Sequence, residues 1–270
     1  MAMLRSLIRR RAEAPRPSAA PRTAPDTVVW AFGDVHGRSD LLGPLLAAIM
    51  SDLERCDAER RVIVGLGDYV DRGPDSPGVI DLLIRAQLRS DLEVRLLRGN
   101  HEAFLDRFLH RPDAGPIWCE HGGRATLNAY GVAAPTFRED AASWREASIA
   151  LSAALPAVHR AFLDRLELSF ESGDYFFCHA GARPGVPLQR QSPEDLLWIR
   201  QEFLGAEERF ERIIVHGHTP TPELHADHRR IGLDTGAYAT GVLSAMRFQD
   251  ADRAALQVRV VGGKVAVKRA

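Results

Sequence analysis

Short apolar runs alternate with longer amphipathic segments over the first 110 residues of the chain. The runs at residues 28–32, 61–66 and 93–97 are rich in β-branched side chains, which is typical of buried strands. Apolar residues recur at helical spacing in the segments that follow, at residues 40–53, 76–88 and 103–109. Strands that alternate with helices in this way predict an α/β fold with a parallel sheet.

The rest of the chain shows two further patterns. Residues 110–165 begin with prolines and glycines and continue with helical patterns only, which predicts a helical insertion over the rim of the sheet. A short helix is predicted around residues 193–203. From residue 225 to 267, short strands and turns predict a second, mainly antiparallel sheet. Between these parts, strand patterns return at residues 166–170, 175–178 and 213–215.

The start of the chain differs in composition from the remainder. Residues 1–26 are rich in Arg, Ala and Pro, and they lack the apolar segment of a secretory signal. This composition predicts a disordered tail, with a basic docking tail or a transit-like leader as alternative interpretations. Residues 27–270 are then predicted to form a single domain that includes the helical insertion, because their number suffices for one large core.

Charge and cysteine content exclude several classes of function. The net charge of −1 provides no overall attraction for nucleic acid. No segment approaches the ~18–20 uninterrupted apolar residues of a transmembrane helix, so no membrane association is expected. The three cysteines have no disulfide or metal-site spacing, which indicates a reducing compartment such as the cytoplasm. None of them is followed by an arginine at the spacing of a cysteine-phosphatase loop.

Five predicted strands end in loops that carry possible metal ligands. After the strand at residues 61–66, the loop GDYVDRG at residues 67–73 holds two carboxylates and an arginine, which suit a divalent metal and a bound phosphate. One such loop alone could be a solvated turn, whereas five at strand ends indicate a shared site, because parallel strands place their carboxyl ends at one rim. The loops carry Asp34, His36, Asp68, Asp71, Arg72, Asn100, His101, His179, His216 and His218.

These loops carry the resemblance of the chain to a known family. The motifs GDVHG at residues 33–37, GDYVDRG at 67–73, GNHE at 99–102, HAG at 179–181 and GHT at 217–219 occur in order. They resemble the motif set of the calcineurin-like metallophosphoesterases, and more closely the small bacterial and phage members of the phosphoprotein phosphatase branch. The resemblance implies a four-layer α/β/β/α sandwich.

The resemblance also implies a centre of two divalent metal ions. Manganese is the expected metal, with iron or zinc as alternatives, because mixed histidine, carboxylate and amide ligands suit these ions better than calcium. A water or hydroxide activated by both metals would attack phosphorus directly, without a phosphoenzyme. By the resemblance, Asp34 and His36 bind the first metal, Asp68 bridges both, and Asn100, His179 and His218 bind the second.

The remaining site residues are assigned to substrate binding and proton transfer. In the family, the histidine at the position of His101 protonates the leaving oxygen, paired with the acid that here is Asp71. Arg72 is expected to bind the substrate phosphate together with Asn100. Arg200 is the expected second phosphate ligand, and Arg183 competes for this role. No role is assigned to the segment HGGR at residues 121–124, which resembles an insertion found in the bacterial members.

The resemblance favours a metal-dependent serine/threonine protein phosphatase, with dual specificity as an extension, acting on a phosphoprotein or phosphopeptide. The alternatives are a dinucleoside-tetraphosphate hydrolase or a broad small-phosphoester phosphatase of the same superfamily. The dinucleotide hydrolases usually carry Asp at the position of Glu102, and residues 197–200 also favour the protein phosphatases. A non-catalytic phosphoprotein-binding module is disfavoured, because every ligand and His101 are present. The sequence leaves the oligomeric state open, and a monomer is consistent with it.

Overall fold

Two β-sheets form the centre of the protein in the computed structural model, which describes residues 20–136, 140–262 and 264–269. The strands are β1 (Thr27–Phe32), β2 (Arg60–Gly65), β3 (Glu93–Leu96), β4 (Ser169–Ser172), β5 (Tyr175–Cys178), β6 (Ile213–His216), β7 (His225–Ala226), β8 (Arg230–Gly232), β9 (Val242–Gln249), β10 (Asp252–Val261) and β11 (Lys264–Arg269). The helices are α1 (Ser39–Leu53), α2 (Ser76–Gln87), α3 (Asn100–His110), α4 (Gly115–Glu120), α5 (Gly123–Ala129), α6 (Ala141–Ala154), α7 (Ala157–Asp164), α8 (Pro193–Trp198), α9 (Gln201–Leu204) and α10 (Ala237–Thr240).

The strand order shows which part of the chain builds each sheet. The first sheet has the order β11-β10-β9-β1-β2-β3, in which β1, β2 and β3 are parallel as predicted. The second sheet has the order β4-β5-β6-β8-β7. The prediction that residues 225–267 form the second sheet is therefore wrong for β9, β10 and β11, which extend the first sheet. Alternation and turns identify strands but not their partners, and β9 pairs antiparallel with β1 at the other end of the chain.

Strand side chains alternate between two environments, and this alternation builds four layers. In β1, Trp30 packs against the helices that cover the first sheet, whereas Ala31 faces the second sheet. In β5, Phe177 faces the first sheet, whereas Phe176 packs with Phe203 of α9 on the outer side. Sheets that are apolar on both faces need cover on both sides. The result is an α/β/β/α sandwich, which confirms the predicted fold class.

Two helices differ from their predicted bounds. α3 begins at Asn100 rather than at residue 103, because the carboxylate of Glu102 accepts the backbone N–H of Gly99 and closes the first turn. The helix predicted around residues 193–203 is interrupted at Arg200, whose φ of −132° and ψ of −91° are not helical. Both differences affect side chains of the predicted site, because they set the direction in which those side chains leave the backbone.

The start of the domain lies earlier than predicted. Residues 1–19 of the predicted tail lie outside the described residues. Arg22 and Thr23, however, are fixed on the domain: the backbone N–H of Arg22 donates to the Asp174 carboxylate at 2.9 Å, and that of Thr23 donates to the Asp250 carbonyl at 3.0 Å. The domain therefore includes residues that the sequence assigns to the tail.

The described residues of the segment 110–165 form α4, α5, α6 and α7, which share one apolar core with α1, α2 and α3. In the part of the chain that the structure describes, no helix combines the length and the apolar character needed to cross a membrane.

Candidate metal centre

Loops from both sheets converge on one buried centre. The loops after β1, β2 and β3 come from the first sheet, and those after β5 and β6 come from the second. Eight of the predicted site residues meet there with at most 5 % of their surface exposed. They are Asp34, His36, Asp68, Asp71, Asn100, His101, His179 and His218.

The backbone at this centre is held in an unfavourable conformation. Among the described residues, seven that are not glycine have a positive φ, and five of these are predicted site residues: His36, Asp68, Asp71, Arg72 and His218. Each such residue costs about 1–3 kcal/mol, so contacts from other parts of the chain must stabilise it. The Asp68 carbonyl, for example, accepts the backbone N–H groups of Val35 and His36 at 3.1 and 2.8 Å.

Asp68 lies between two groups of possible metal ligands. One carboxylate oxygen, Oδ2, is 3.5 Å from Nε2 of His36. The other, Oδ1, is 3.4 Å from Nε2 of His179, beside which His218 lies. The ligand atoms within each group lie within 4.8 Å of one another, and Asp68 belongs to both groups. Asp68 is thus the residue common to both groups, and its bridging role stays a prediction of the resemblance.

The hydrogen bonds of the histidine rings leave acceptor atoms pointing into the centre, and such atoms suit a cation. Nδ1 of His36 donates to the Val70 carbonyl at 2.9 Å, and Nδ1 of His179 donates to the Leu66 carbonyl at 2.8 Å. In the neutral rings Nε2 is then an acceptor. Nε2 of His179 faces the amide oxygen of Asn100 at 2.9 Å, so two lone pairs point at each other without a proton between them. A divalent cation satisfies such a set of acceptors.

Burial keeps the histidines in the neutral form that binds metal. Burial lowers the pKa of His36 to about 3 and also lowers the pKa values of His179 and His218. Nε2 of His218 is buried without a hydrogen-bond partner. Burial and the carboxylates of Asp234 and Asp68 raise the pKa of Asp34 well above its usual value. The centre thus holds more negative charge than its cations offset, and bound divalent metal would supply the missing positive charge.

Asp34, a predicted ligand, and His101, the predicted proton donor, have different surroundings from the other residues of the centre. Both oxygens of Asp34 accept the backbone N–H of His218, at 3.1 and 3.0 Å, which joins the loop after β1 to the loop after β6. His101 lies close to His36 and Asp68 and belongs by distance to the first ligand group. Its Nδ1, however, is 2.7 Å from Oδ2 of Asp71, and its Nε2 is 3.9 Å from Asp68. His101 is therefore placed beside the candidate metal centre with its own carboxylate partner.

The pair of His101 and Asp71 has the geometry of a proton donor. Burial opposes the charged ring, but Asp68 and Asp71 outweigh it and raise the pKa of His101 above its usual value. Nη2 of Arg72 donates to Nε2 of His101 at 3.1 Å, so this edge of the imidazole is turned towards the arginine that is predicted to bind phosphate. The Arg72 guanidinium also lies over the ring of Tyr238, 4.6 Å from its centroid.

Glu102 organises the centre, a role that the sequence analysis did not assign. Its carboxylate is fully buried and accepts four backbone N–H groups at 2.7–3.1 Å, which belong to Asp68, Tyr69, Val70 and Gly99. Burial, together with the charge of Asp68, raises the pKa of Glu102 to about 7, whereas the backbone N–H groups of Gly99, Val70 and Tyr69 oppose the rise. The acid three residues after Gly99, at the start of a helix, was the available signal. Two further partners of Asp71 that the sequence did not reveal are Trp118 and Thr126.

The two candidate phosphate arginines have different surroundings. Arg200 is exposed at the break between α8 and α9, and its Nη1 donates to Oγ1 of Thr219 at 3.4 Å, beside His218. Arg183 is bound to the Asp195 carboxylate through Nε at 2.9 Å. His216 does not join the ligand groups; its Nδ1 is 2.9 Å from the Gly217 carbonyl oxygen. Because Arg183 is already bound to a carboxylate, Arg200 stays the predicted second phosphate ligand.

Comparison with known proteins identifies the family. The family model described as calcineurin-like phosphoesterase matches residues 27–259. Serine/threonine-protein phosphatase 1 of Salmonella typhimurium is 29% identical over 237 residues, which cover 82% of this chain and 92% of the relative. The asymmetrical bis(5'-nucleosyl)-tetraphosphatase PrpE of Bacillus velezensis is 26% identical over 242 residues, which cover 81% of this chain and 88% of the relative.

A solved structure agrees with this assignment at the level of the fold. The crystal structure of a protein proposed to be a diadenosine tetraphosphatase superposes with a TM-score of 0.58 and 22% identity, covering 93% of this chain and 98% of that one. The matched range, residues 27–259, spans the positions of every predicted metal ligand and of His101 and Asp71. The chain therefore belongs to the calcineurin-like metallophosphoesterases, a family of metal-dependent phosphoester hydrolases.

Proposed function

We propose that this protein is a phosphomonoester hydrolase that acts as a serine/threonine protein phosphatase, with dual specificity as an extension. The observation that carries the proposal is the set of facing acceptors around Asp68, directly beside the His101–Asp71 pair and Arg72. This set combines metal ligands, a proton donor and a phosphate ligand within one centre. These three elements are what hydrolysis of a phosphomonoester requires.

The donor set supports a centre for two divalent ions. Asp34 and His36 would hold the first, Asn100, His179 and His218 the second, and Asp68 both. We propose manganese as the native metal, with iron or zinc as alternatives, because imidazole, carboxylate and amide ligands suit these ions. Bound there, the ions would neutralise charge on the phosphate oxygens and lower the pKa of a water molecule.

The remaining residues would bind the phosphate and deliver a proton. Arg72 now donates to Nε2 of His101 at 3.1 Å. A phosphate dianion is a stronger acceptor than a neutral imidazole, so substrate binding would draw the guanidinium to the phosphate oxygens. Nε2 of His101, which carries no proton while it accepts from Arg72, would then take up a proton from solvent and give it to the leaving oxygen, while Nδ1 keeps its own proton and donates to Asp71. Arg200, on the opposite side near His218, would bind a further phosphate oxygen.

The protein substrate is supported by the relative from Salmonella and by the acid after the Asn100-His101 pair, which is Glu102. The three cysteines are free and buried, which suits a protein of the cytoplasm. The dinucleotide alternative rests on PrpE and on two exposed aromatic rings. The ring of Trp198 packs edge-on against Phe104 at 4.9 Å, and Tyr238 lies against His36 at 5.3 Å. Either ring could stack on a nucleobase.

A direct comparison of substrates tests the proposal. Purified protein loaded with manganese is assayed side by side on phosphoserine, phosphothreonine and phosphotyrosine peptides and on diadenosine tetraphosphate. An Asp68→Asn protein prepared in parallel measures any contaminating phosphatase. The highest kcat/KM on phosphoserine or phosphothreonine is the expected result. Faster cleavage of the dinucleotide would replace the protein phosphatase with the alternative, and binding of a phosphopeptide without any turnover would favour the non-catalytic module.

A further inference from the structure

The carboxylate of Asp71 is held from three sides. Its Oδ2 is 2.7 Å from Nδ1 of His101 and also accepts the indole N–H of Trp118 at 2.7 Å. Its Oδ1 accepts the hydroxyl of Thr126 at 2.6 Å. Asp71, Trp118 and Thr126 have no exposed surface. The two added donors, Trp118 of α4 and Thr126 of α5, lie on either side of residues 121–124, the segment to which the sequence analysis assigns no role.

Thr126 also holds the backbone of this turn. Its Oγ1 accepts the backbone N–H of Asp71 at 2.9 Å and lies 3.0 Å from Oγ of Ser76. Asp71 has a φ of 71°, an unfavourable conformation that surrounding contacts must maintain. Because the hydroxyl of Thr126 already donates to the carboxylate, Ser76 donates to Thr126 and closes the network. A single threonine side chain thus fixes both the main chain and the carboxylate of Asp71.

The same segment contacts the next residue, Arg72. The backbone N–H of Arg72 donates to the Gly122 carbonyl at 3.1 Å. A methyl group on Gly122 would lie 2.6 Å from Cγ of Arg72, and one on Gly123 would lie 2.3 Å from the indole ring of Trp118. The two consecutive glycines therefore allow a close approach that side chains would prevent. Residues 118–126 therefore pack directly on the part of the loop that carries Asp71 and Arg72.

We propose that Trp118 and Thr126 are positioning residues for proton donation by His101. A carboxylate bonded only to the imidazole could turn about its Cβ–Cγ bond, and the imidazole would turn with it. Donors on both oxygens fix the plane of the Asp71 carboxylate, and therefore the direction of Nε2 of His101. This inference rests on the role of His101 in the proposed function. It adds that the helical insertion takes part in the chemistry through Asp71.

Proton donation matters most when the leaving oxygen is a poor leaving group, and this gives a specific test. Thr126→Val removes the hydroxyl with little change in shape, Thr126→Ser keeps it, and Trp118→Phe removes the indole N–H while keeping an aromatic ring. Each variant is loaded with manganese and assayed on phenyl phosphate and on p-nitrophenyl phosphate. We expect Thr126→Val and Trp118→Phe to lower kcat about tenfold on phenyl phosphate and less than about twofold on p-nitrophenyl phosphate. Thr126→Ser should retain the wild-type ratio of the two rates.

The outcomes separate this inference from the proposed function. His101→Ala is measured with the same two substrates as the reference for lost proton donation. If His101→Ala shows the selective loss and both Trp118→Phe and Thr126→Val do not, the inference is wrong and the function stands. Equal losses on both substrates in those two variants would mean general loosening of the core, which also overturns it. If His101→Ala itself shows no selectivity, the proton-donor role fails, and the positioning role fails with it. A thermal melt of each variant shows which proteins are folded, and Thr126→Ser and Thr126→Val disturb the packing least.

Discussion

Gly67 offers a test of how closely the loops around the metal centre are packed. It has a φ of 102°, and a methyl group at its Cα would lie 2.6 Å from the backbone nitrogen of Gly99 and 2.9 Å from Nδ1 of His179. Gly67→Ala would therefore displace the turn that begins α3 and the ring of His179, which lie on two predicted ligand loops. We expect the backbone conformation to lower the free energy of unfolding by about 1–3 kcal/mol, and the clash to lower it by about 1–3 kcal/mol more.

Gly131→Ala is the matched control for the conformational part of this cost. Gly131 has a φ of 75°, and among the described residues beyond its chain neighbours no atom lies within 4 Å of the position of an added methyl group. The control removes the conformational cost and leaves the clash of about 1–3 kcal/mol, so thermal unfolding should give a midpoint about 2–12 °C lower for Gly67→Ala than for Gly131→Ala, since 1 kcal/mol corresponds to about 2–4 °C for a domain of this size. Metal content and phosphatase activity should fall only in Gly67→Ala. If both variants were equally stable and fully active, the packing argument would be refuted.

The remaining predictions concern the metal, the proton donor and the pH. Asp68→Asn should abolish activity and release bound manganese, which elemental analysis measures. The control His110→Asn, at an exposed position, should keep both activity and metal. An active, metal-loaded Asp68→Asn protein would contradict the bridging role. His101→Ala should lower kcat at least tenfold more on phenyl phosphate than on p-nitrophenyl phosphate, and equal losses would argue against a proton donor. The metal-free protein should lose stability as the pH falls from 6.5 towards 3, because His36 takes up a proton in the unfolded chain before it does so in the fold. This contributes about 1.4 kcal/mol per pH unit in that window. Urea unfolding at pH 7 and pH 5 measures the effect, and His36→Gln should reduce it; an unchanged pH dependence in that variant would show that His36 does not contribute.

The sequence predicted the parts of the structure that local pattern determines. The three parallel strands and their loops were correct because each apolar run, loop and helix is contiguous in the chain. The pairing of β9 with β1 was not predictable in this way, because it depends on a partner at the opposite end of the chain. The interruption of the helix at Arg200 was also not predictable from the sequence, because apolar residues recur at helical spacing on both sides of it within residues 193–203.

The candidate site shows the same division. Residue types at strand ends pointed to Asp34, His36 and the other ligands, and the structure brings these side chains together. Their roles stay predictions. The sequence could not reveal Trp118 and Thr126, because neither is a ligand type or follows a strand. Only the packing of α4 and α5 against the loop after β2 places them on Asp71.

Different parts of the molecule hold the backbone of Asp68, Asp71 and Arg72 in the loop GDYVDRG. The backbone N–H of Asp68 donates to Glu102 in α3, that of Asp71 donates to Thr126 in α5, and that of Arg72 donates to the carbonyl of Gly122. A substitution in α5 should therefore weaken proton donation while leaving metal binding intact, whereas one in the first turn of α3 should weaken metal binding first. Asp68, Asp71 and Arg72 lie within five residues of the chain, yet the role proposed for each can be altered from a different element of the fold.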